Sequence, residues 1–273
     1  MTQHISAGDL PQPGARAIVL DLVARGDHLT VTTAVLVKAG AAFGIEATGM
    51  RTAIARLRAD GRLIQIERGI YARGPQAEPI VRRLRGWRDV IDRRITWNGG
   101  WLLAVTGAAE RTDRTTWRRT LRAFDLEGFD EAEANLWIRP DNRAGGAVAT
   151  RAALRDLGAA PALFLARVED LDEDRDVQLR VEWREARQDA DYGALARALA
   201  DHRQRSTGEP LATIAATTLV LGREAIRRII RDPLRPDGLG GVNALRELVS
   251  EMVLYDVVGQ AAWQAYLNSP AIP

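Results

Sequence analysis

The residues whose types and spacing suit a chemical task lie between Thr48 and Arg73 of this 273-residue chain. In the stretch Gly44-Ile45-Glu46-Ala47-Thr48-Gly49-Met50-Arg51-Thr52-Ala53-Ile54-Ala55-Arg56-Leu57-Arg58-Ala59-Asp60-Gly61, an apolar stripe recurs at helical spacing. At about 100° per residue, Met50, Ala53, Ile54 and Leu57 share one face. Arg51, Thr52, Ala55, Arg56 and Arg58 point away from it. A guanidinium is a planar fork that fits a phosphate or the O6/N7 edge of guanine. Small residues such as Thr52 and Ala55 between the arginines allow close approach to a groove. The chemistry implied is recognition of a nucleic-acid duplex. Thr48 is expected to cap this helix, and Gly61 to follow its last turn.

The flanking elements must hold that helix. Two short strands are expected at Arg62–Glu67 and Ile70–Arg73, with Arg68-Gly69 as a tight turn. Upstream, Ile18, Val19, Leu22 and Val23 mark a helix that Gly26-Asp27 ends. Thr32 or Thr33 can cap a second through Val35, Leu36 and Ala39, weakened at Gly40 and stopped at Gly44. Residues 15–76 therefore read as a winged helix-turn-helix domain, after a flexible Pro- and Gly-containing tail over 1–14. In such a unit Arg51, Thr52 and Arg56 would meet base edges, and Arg62, Arg68 and Arg73 phosphates. The candidate DNA-binding set is Thr48, Arg51, Thr52, Ala55, Arg56, Arg58, Arg62, Arg68 and Arg73.

The rest of the chain reads as α+β. Pro79, Ile80, Leu84, Trp87, Val90 and Ile91 outline a linker helix within 77–96, studded with arginine. Strands are expected at Trp101–Val105, after Gly128-Phe129, at Ala134–Ile138 and at Ala162–Val168. Helices are expected through Trp117, Leu121 and Phe124, capped by Thr112 or Asp113, and over Ala147–Leu157. The order β-α-β-β-α-β over 97–183 is ferredoxin-like. The run Glu169–Asp176 reads as a solvated acidic loop, followed by a short apolar segment at Val177–Trp183. Residues 184–273 read as a helical C-terminal domain, broken by Asp232-Pro233-Leu234-Arg235-Pro236-Asp237-Gly238-Leu239.

Charge is unevenly spread. Residues 1–94 carry 15 Lys+Arg against 9 Asp+Glu, and residues 95–273 carry 23 against 27. A basic first third suits a polyanionic partner. The chain has no cysteine, which excludes disulfides, thiol nucleophiles and cysteine-based metal sites. His4, His28 and His202 are too far apart in sequence to suggest a histidine metal site. Catalytic signatures such as GxSxG, Walker A, GxGxxG and HExxH do not occur. Ser206 and His202 form an i, i+4 pair that reads as two exposed residues. No catalytic or metal residue and no cofactor is expected, no apolar run is long enough for a membrane span, and a cytoplasmic location follows. Two other readings stay open. One is a metal-dependent nuclease on the ferredoxin-like domain, with Asp172 among its ligands. The other is a module binding RNA or protein without sequence preference.

Three segments in order resemble the PaaX-type transcriptional repressors of phenylacetic acid catabolism. They are Gly44-Ile45 leading into Met50–Leu57 and Gly61-Arg62-Leu63; Trp97-Asn98-Gly99-Gly100-Trp101 with Leu136-Trp137-Ile138-Arg139-Pro140; and Asp232–Leu239. The resemblance spans about residues 15–267. It implies a winged helix, a ferredoxin-like middle domain, a helical C-terminal domain and a homodimer on double-stranded operator DNA. It further implies release by an acyl-CoA effector such as phenylacetyl-CoA, with no effector-contacting residue assigned.

Overall fold

A computed structural model of the chain describes residues 5–24, 30–107, 111–185, 189–205 and 208–270. Gly26-Asp27, His4, His28 and Ser206 lie outside the described residues. The protein is α+β, with two small antiparallel sheets set among helices. The chain divides into two compact units. Unit one is Met1–Arg85, Gly193–Arg227 and Leu248–Pro273, and unit two is Gly86–Tyr192 and Arg228–Glu247. Each unit draws on segments far apart in the chain.

Unit one begins with helix α1 (Ala15–Ala24), strand β1 (Val31–Thr32), α2 (Thr33–Ala41) and α3 (Ala47–Ala59). A hairpin follows, β2 (Leu63–Glu67) and β3 (Ile70–Arg73), then α4 (Glu78–Arg85). The sheet order is β1-β3-β2. The apolar stripes read from the sequence meet in one core: Ile18, Val19, Leu22 and Val23 of α1, Leu36 and Ala39 of α2, and Met50, Ile54 and Leu57 of α3. Ala215, Leu219, Trp263 and Tyr266 from the C-terminal helices complete it. Thr32 caps α2 by accepting from the Val35 N–H at 3.2 Å. Lys38 on α2 donates its ammonium to the Leu267 and Ser269 carbonyls, at the end of the last helix, where a cation suits the negative pole.

Several local expectations change. Thr48 lies inside the first turn of α3, and Glu46 is its N-cap residue, without a side-chain cap bond. The tail is structured from Ile5, which is buried. Ser6 and Asp9 close a capping box around a 3-10 turn, Ala7–Asp9, and Pro13 is buried. The linker helix stops at Arg85. Gly86 follows, and Ile91–Arg93 is a separate 3-10 turn.

Unit two holds β4 (Trp101–Val105), α5 (Arg114–Glu127), β5 (Asp130–Glu133), β6 (Leu136–Pro140), α6 (Gly146–Asp156), β7 (Phe164–Val168) and α7 (Glu173–Glu185). Its sheet order is β5-β6-β4-β7, each neighbouring pair antiparallel. Alternation along β4 buries both faces. Leu102 and Ala104 pack with Phe124, Phe129, Leu154 and Leu165, while Trp101 packs with Ile138, Leu179 and Trp183. Asp113 caps α5 by accepting from the Thr115 N–H at 2.9 Å. β6 starts at Leu136 rather than Ala134, and β7 at Phe164, an exposed residue, rather than at Ala162.

The acidic run is only partly a loop. Glu173, Asp174 and Asp176 form the first turn of α7, which takes in the apolar segment Val177–Trp183. Carboxylates favour that position, where the helix N-terminus carries partial positive charge. Helix α8 is Asp189–Arg205. Helix α9 (Leu211–Arg231) and α10 (Asn243–Asn268) lie on either side of the proline-containing segment.

Candidate nucleic-acid interface

Helix α3 rests on α1 and α2 through residues with almost no exposure: Met50 and Leu57 at 0%, Ala53 and Ile54 at 4%. Rotation about the helix axis is thereby set. Arg51, Thr52, Ala55, Arg56 and Arg58 are all exposed, as are Thr48 and Ala59. No carboxylate stands between Ala47 and Ala59. Asp60, just beyond, is bound to Arg16 at 2.5 Å. Thr52 donates its hydroxyl to the Thr48 carbonyl at 2.9 Å, which orients the side chain along the helix.

The end of α3 places the hairpin beside it. Gly61 has φ +67°, a conformation that costs glycine little. The Arg62 N–H returns to the Leu57 carbonyl at 2.9 Å and the Gly61 N–H to the Arg58 carbonyl at 2.9 Å, the paired bonds of a Schellman turn. The chain enters β2 directly. Arg68 is exposed at the hairpin turn, and Gly69 (φ +76°) accepts at its carbonyl from the Thr33 N–H at 2.8 Å. That bond ties the turn to the start of α2.

A bulge between Gln65 and Glu67 interrupts the β2–β3 register, and Ile66 is exposed there. An open groove between α3 and β2 is lined by Ala55, Arg58, Ala59, Leu63, Ile64 and Gln65. Ile64 and Ile66 share the face of β2 opposite the buried Leu63, so their exposure and the groove beside them depend on which face of the strand packs, which the spacing of apolar residues does not specify.

The nine candidate residues do not form one set. Thr48, Arg51, Thr52, Ala55, Arg56 and Arg58 share helix α3, and Arg68 stands at the hairpin turn. Arg62 is half-buried at the junction. Arg73 is turned to Glu78, its Nε 2.7 Å from the carboxylate, with its side chain only 14% exposed. Its charge is matched within the protein.

Unit two holds a buried polar cluster that no single sequence motif marks. Arg139 and Asn142 have no exposure, and Arg143, Glu127, Asp232 and Arg235 are buried. Arg139 donates to the Glu127 carbonyl at 2.7 Å and to Asn142 Oδ1 at 3.1 Å. Arg143 reaches the Glu127 carboxylate at 3.0 Å and the Asp232 carbonyl at 3.1 Å. Asn142 donates to the Leu234 carbonyl. Asp232 accepts from the Tyr192 hydroxyl at 2.7 Å and the Leu234 N–H at 2.6 Å, and burial raises its pKa despite these bonds. The cluster fixes the segment Asp232–Leu234, with Leu234 held at φ +59°. The sequence signal was the second and third segments of the family resemblance, whose Arg139 and Asp232–Arg235 converge here.

The acidic residues of the suggested nuclease reading are engaged locally. Asp172 accepts from the Asp174 N–H at 3.1 Å, and Asp176 from Trp101 at 2.8 Å and Arg180 at 2.6 Å. Among the described residues no group of three or more His, Cys, Asp or Glu is placed to hold a metal ion. Among the described residues no helix is long and apolar enough to cross a membrane.

No protein-family model and no curated protein matches this sequence. The chain is similar in structure to an uncharacterized protein, Rv0674 from Mycobacterium tuberculosis, with a TM-score of 0.51 and 19% identity over 91% of this chain and 98% of that one. At that identity the likeness concerns the fold alone.

Proposed function

We propose that this chain is a DNA-binding transcriptional regulator of the PaaX type, acting as a homodimeric repressor of an aromatic-acid catabolic operon. The observation that carries the reading is the outer face of α3: Arg51, Thr52, Ala55 and Arg56 exposed together, with no carboxylate on the helix and a hairpin at its end. In this reading α1–α3 with β1–β3 is a winged helix, and α3 enters the major groove. Arg51 and Arg56 read guanine edges, Thr52 and Ala55 allow the approach, and Arg58, Arg62 and Arg68 hold phosphates. Two such helices in a dimer meet successive major-groove faces about 34 Å apart.

Strands β4–β7 with α5 and α6 are read as a ferredoxin-like domain, supported by the order β5-β6-β4-β7 and its antiparallel pairing. The effector is an acyl-CoA thioester such as phenylacetyl-CoA, a step that rests on the resemblance of the three sequence segments. An effector of this kind couples to DNA binding by about 1–3 kcal/mol.

The test is selection of bound duplexes from a random library with the full-length protein, repeated with a panel of acyl-CoA thioesters. A two-fold symmetric site, released by one thioester, is the expected result. Binding with no preference among duplexes would sink the regulator reading, and Mg²⁺-dependent cleavage lost in Asp172→Ala would replace it with a nuclease.

A further inference from the structure

Helix α5 in unit two carries charge that its own stability opposes. Arg111 precedes it, and Arg114, Arg118, Arg119 and Arg122 occupy its first three turns, all exposed. Asp113 is the one acidic residue among positions 111–122. A helix N-terminus is the positive pole, so guanidinium groups there are disfavoured, and like charges four apart repel. Arg114, Arg118 and Arg122 nevertheless recur at that spacing. At about 1.5 Å rise per residue they form a row with roughly 6 Å between members. Thr120, Ala123 and Phe124 are buried on the inward side, so the row faces outward.

The charge is segregated, not general. Across unit two 21 basic residues face 24 acidic ones, yet five of the basic residues fall within these twelve positions. The first of them is held in place. Arg111 stacks on Trp117 with its guanidinium 5.1 Å from the ring and donates to Asn135.

We propose that this arginine row is a second nucleic-acid contact, one that binds the sugar–phosphate backbone of a DNA duplex without reading bases. A membrane surface would call for large apolar side chains beside the cations. Here the exposed neighbours of the row are Thr115, whose hydroxyl suits a phosphate, and Asp125 just beyond Arg122, whose carboxylate is bound to Arg231 at 2.7 Å. A regular single-sign row complements a polyanion whose charges also recur regularly. The inference rests on the reading of the chain as a duplex binder.

The probe is a labelled mixed-sequence DNA duplex of about 40 base pairs, titrated with the full chain between ~50 and ~200 mM salt. Each phosphate contact contributes about 0.9 to the slope of log affinity against log salt. The variant Arg114→Gln/Arg118→Gln should lower the slope by about 1.8, and Arg118→Gln alone by about 0.9, with unchanged circular dichroism. Arg51→Ala/Arg56→Ala is run in parallel. A slope that falls for the α3 variant but not for the α5 variants overturns this inference and leaves the α3 reading standing. The reverse leaves the α5 contact and removes the α3 one. No duplex binding by the unaltered protein removes both. Loss of binding to phosphatidylserine vesicles with an unchanged duplex slope assigns the row to a membrane and also overturns the inference.

Discussion

Gly40 and Met50 are packed so closely that a Cβ built on Gly40 would stand 2.5 Å from Met50 Cγ and 2.7 Å from its sulfur. The absent side chain lets α2 approach α3, and Met50 is fully buried between them. This contact helps set the angle at which the arginine-bearing face of α3 is presented.

Gly40→Val should therefore destabilise unit one by about 1–3 kcal/mol, the usual cost of overpacking. Urea unfolding measures it. A midpoint equal to that of the unaltered protein would show that Met50 swings aside at no cost.

Arg51 and Arg73 should separate in binding experiments although both were candidates from the sequence. Arg51→Ala should cost about 1–3 kcal/mol and relax preference at one base pair, as for a bidentate guanine contact. Arg73→Ala should leave duplex affinity close to unchanged, because Glu78 already matches its charge. Competition binding with single-base variants of the selected site decides between them. A uniform loss for Arg51→Ala would make it a phosphate contact.

The Arg143–Glu127 pair in unit two should be sensitive to truncation. Its members are 9% and 5% exposed at the side chain, with 3.0 Å between them. Arg143→Ala leaves a buried carboxylate without its guanidinium and takes a bond from the Asp232 carbonyl. The expected loss is about 3–5 kcal/mol, read by thermal or denaturant unfolding. A loss below 1 kcal/mol would mean that water enters and replaces the arginine.

His202 should make unit one lose stability in mild acid. Burial lowers its pKa from the ordinary 6.5, against the opposing pull of Glu209, and the Tyr255 hydroxyl lies 2.9 Å from Nδ1. With the folded value below the unfolded one, the unfolded chain binds more protons as pH falls through 6.5. The contribution is complete above that pH and is lost towards the lower folded value. Melting temperature followed from neutral pH downward should fall less steeply in His202→Gln than in the unaltered protein. Parallel slopes would rule this histidine out as the source.

Much of the local structure could be read from residue order alone, because it depends on neighbours within a few positions. The stripe Met50, Ala53, Ile54, Leu57 is buried as its period implies, and β3 and β4 have the expected bounds. Gly61 ends α3 because only near neighbours decide whether a left-handed residue closes a helix. The segment Val177–Trp183 was harder. Its apolar residues stand at every second position, yet the backbone is helical, burying Leu179 and Trp183 while Val177 and Val181 stay exposed. Packing against Trp101 selects that pair.

Tertiary structure alone decided which distant segments share a core and which charges are spent internally. Arg51 and Arg73 look equivalent in sequence, and only folding brings Glu78 onto the second. Ala215 and Trp263 join Ile18 and Leu36 in one interior, and Arg139, Asn142 and Arg143 close around Asp232–Leu234. Periodicity reports which side of an element is apolar, but the partner that covers it depends on how the chain closes long loops. Those closures are set by the summed fit of side chains across the core, which no local pattern encodes.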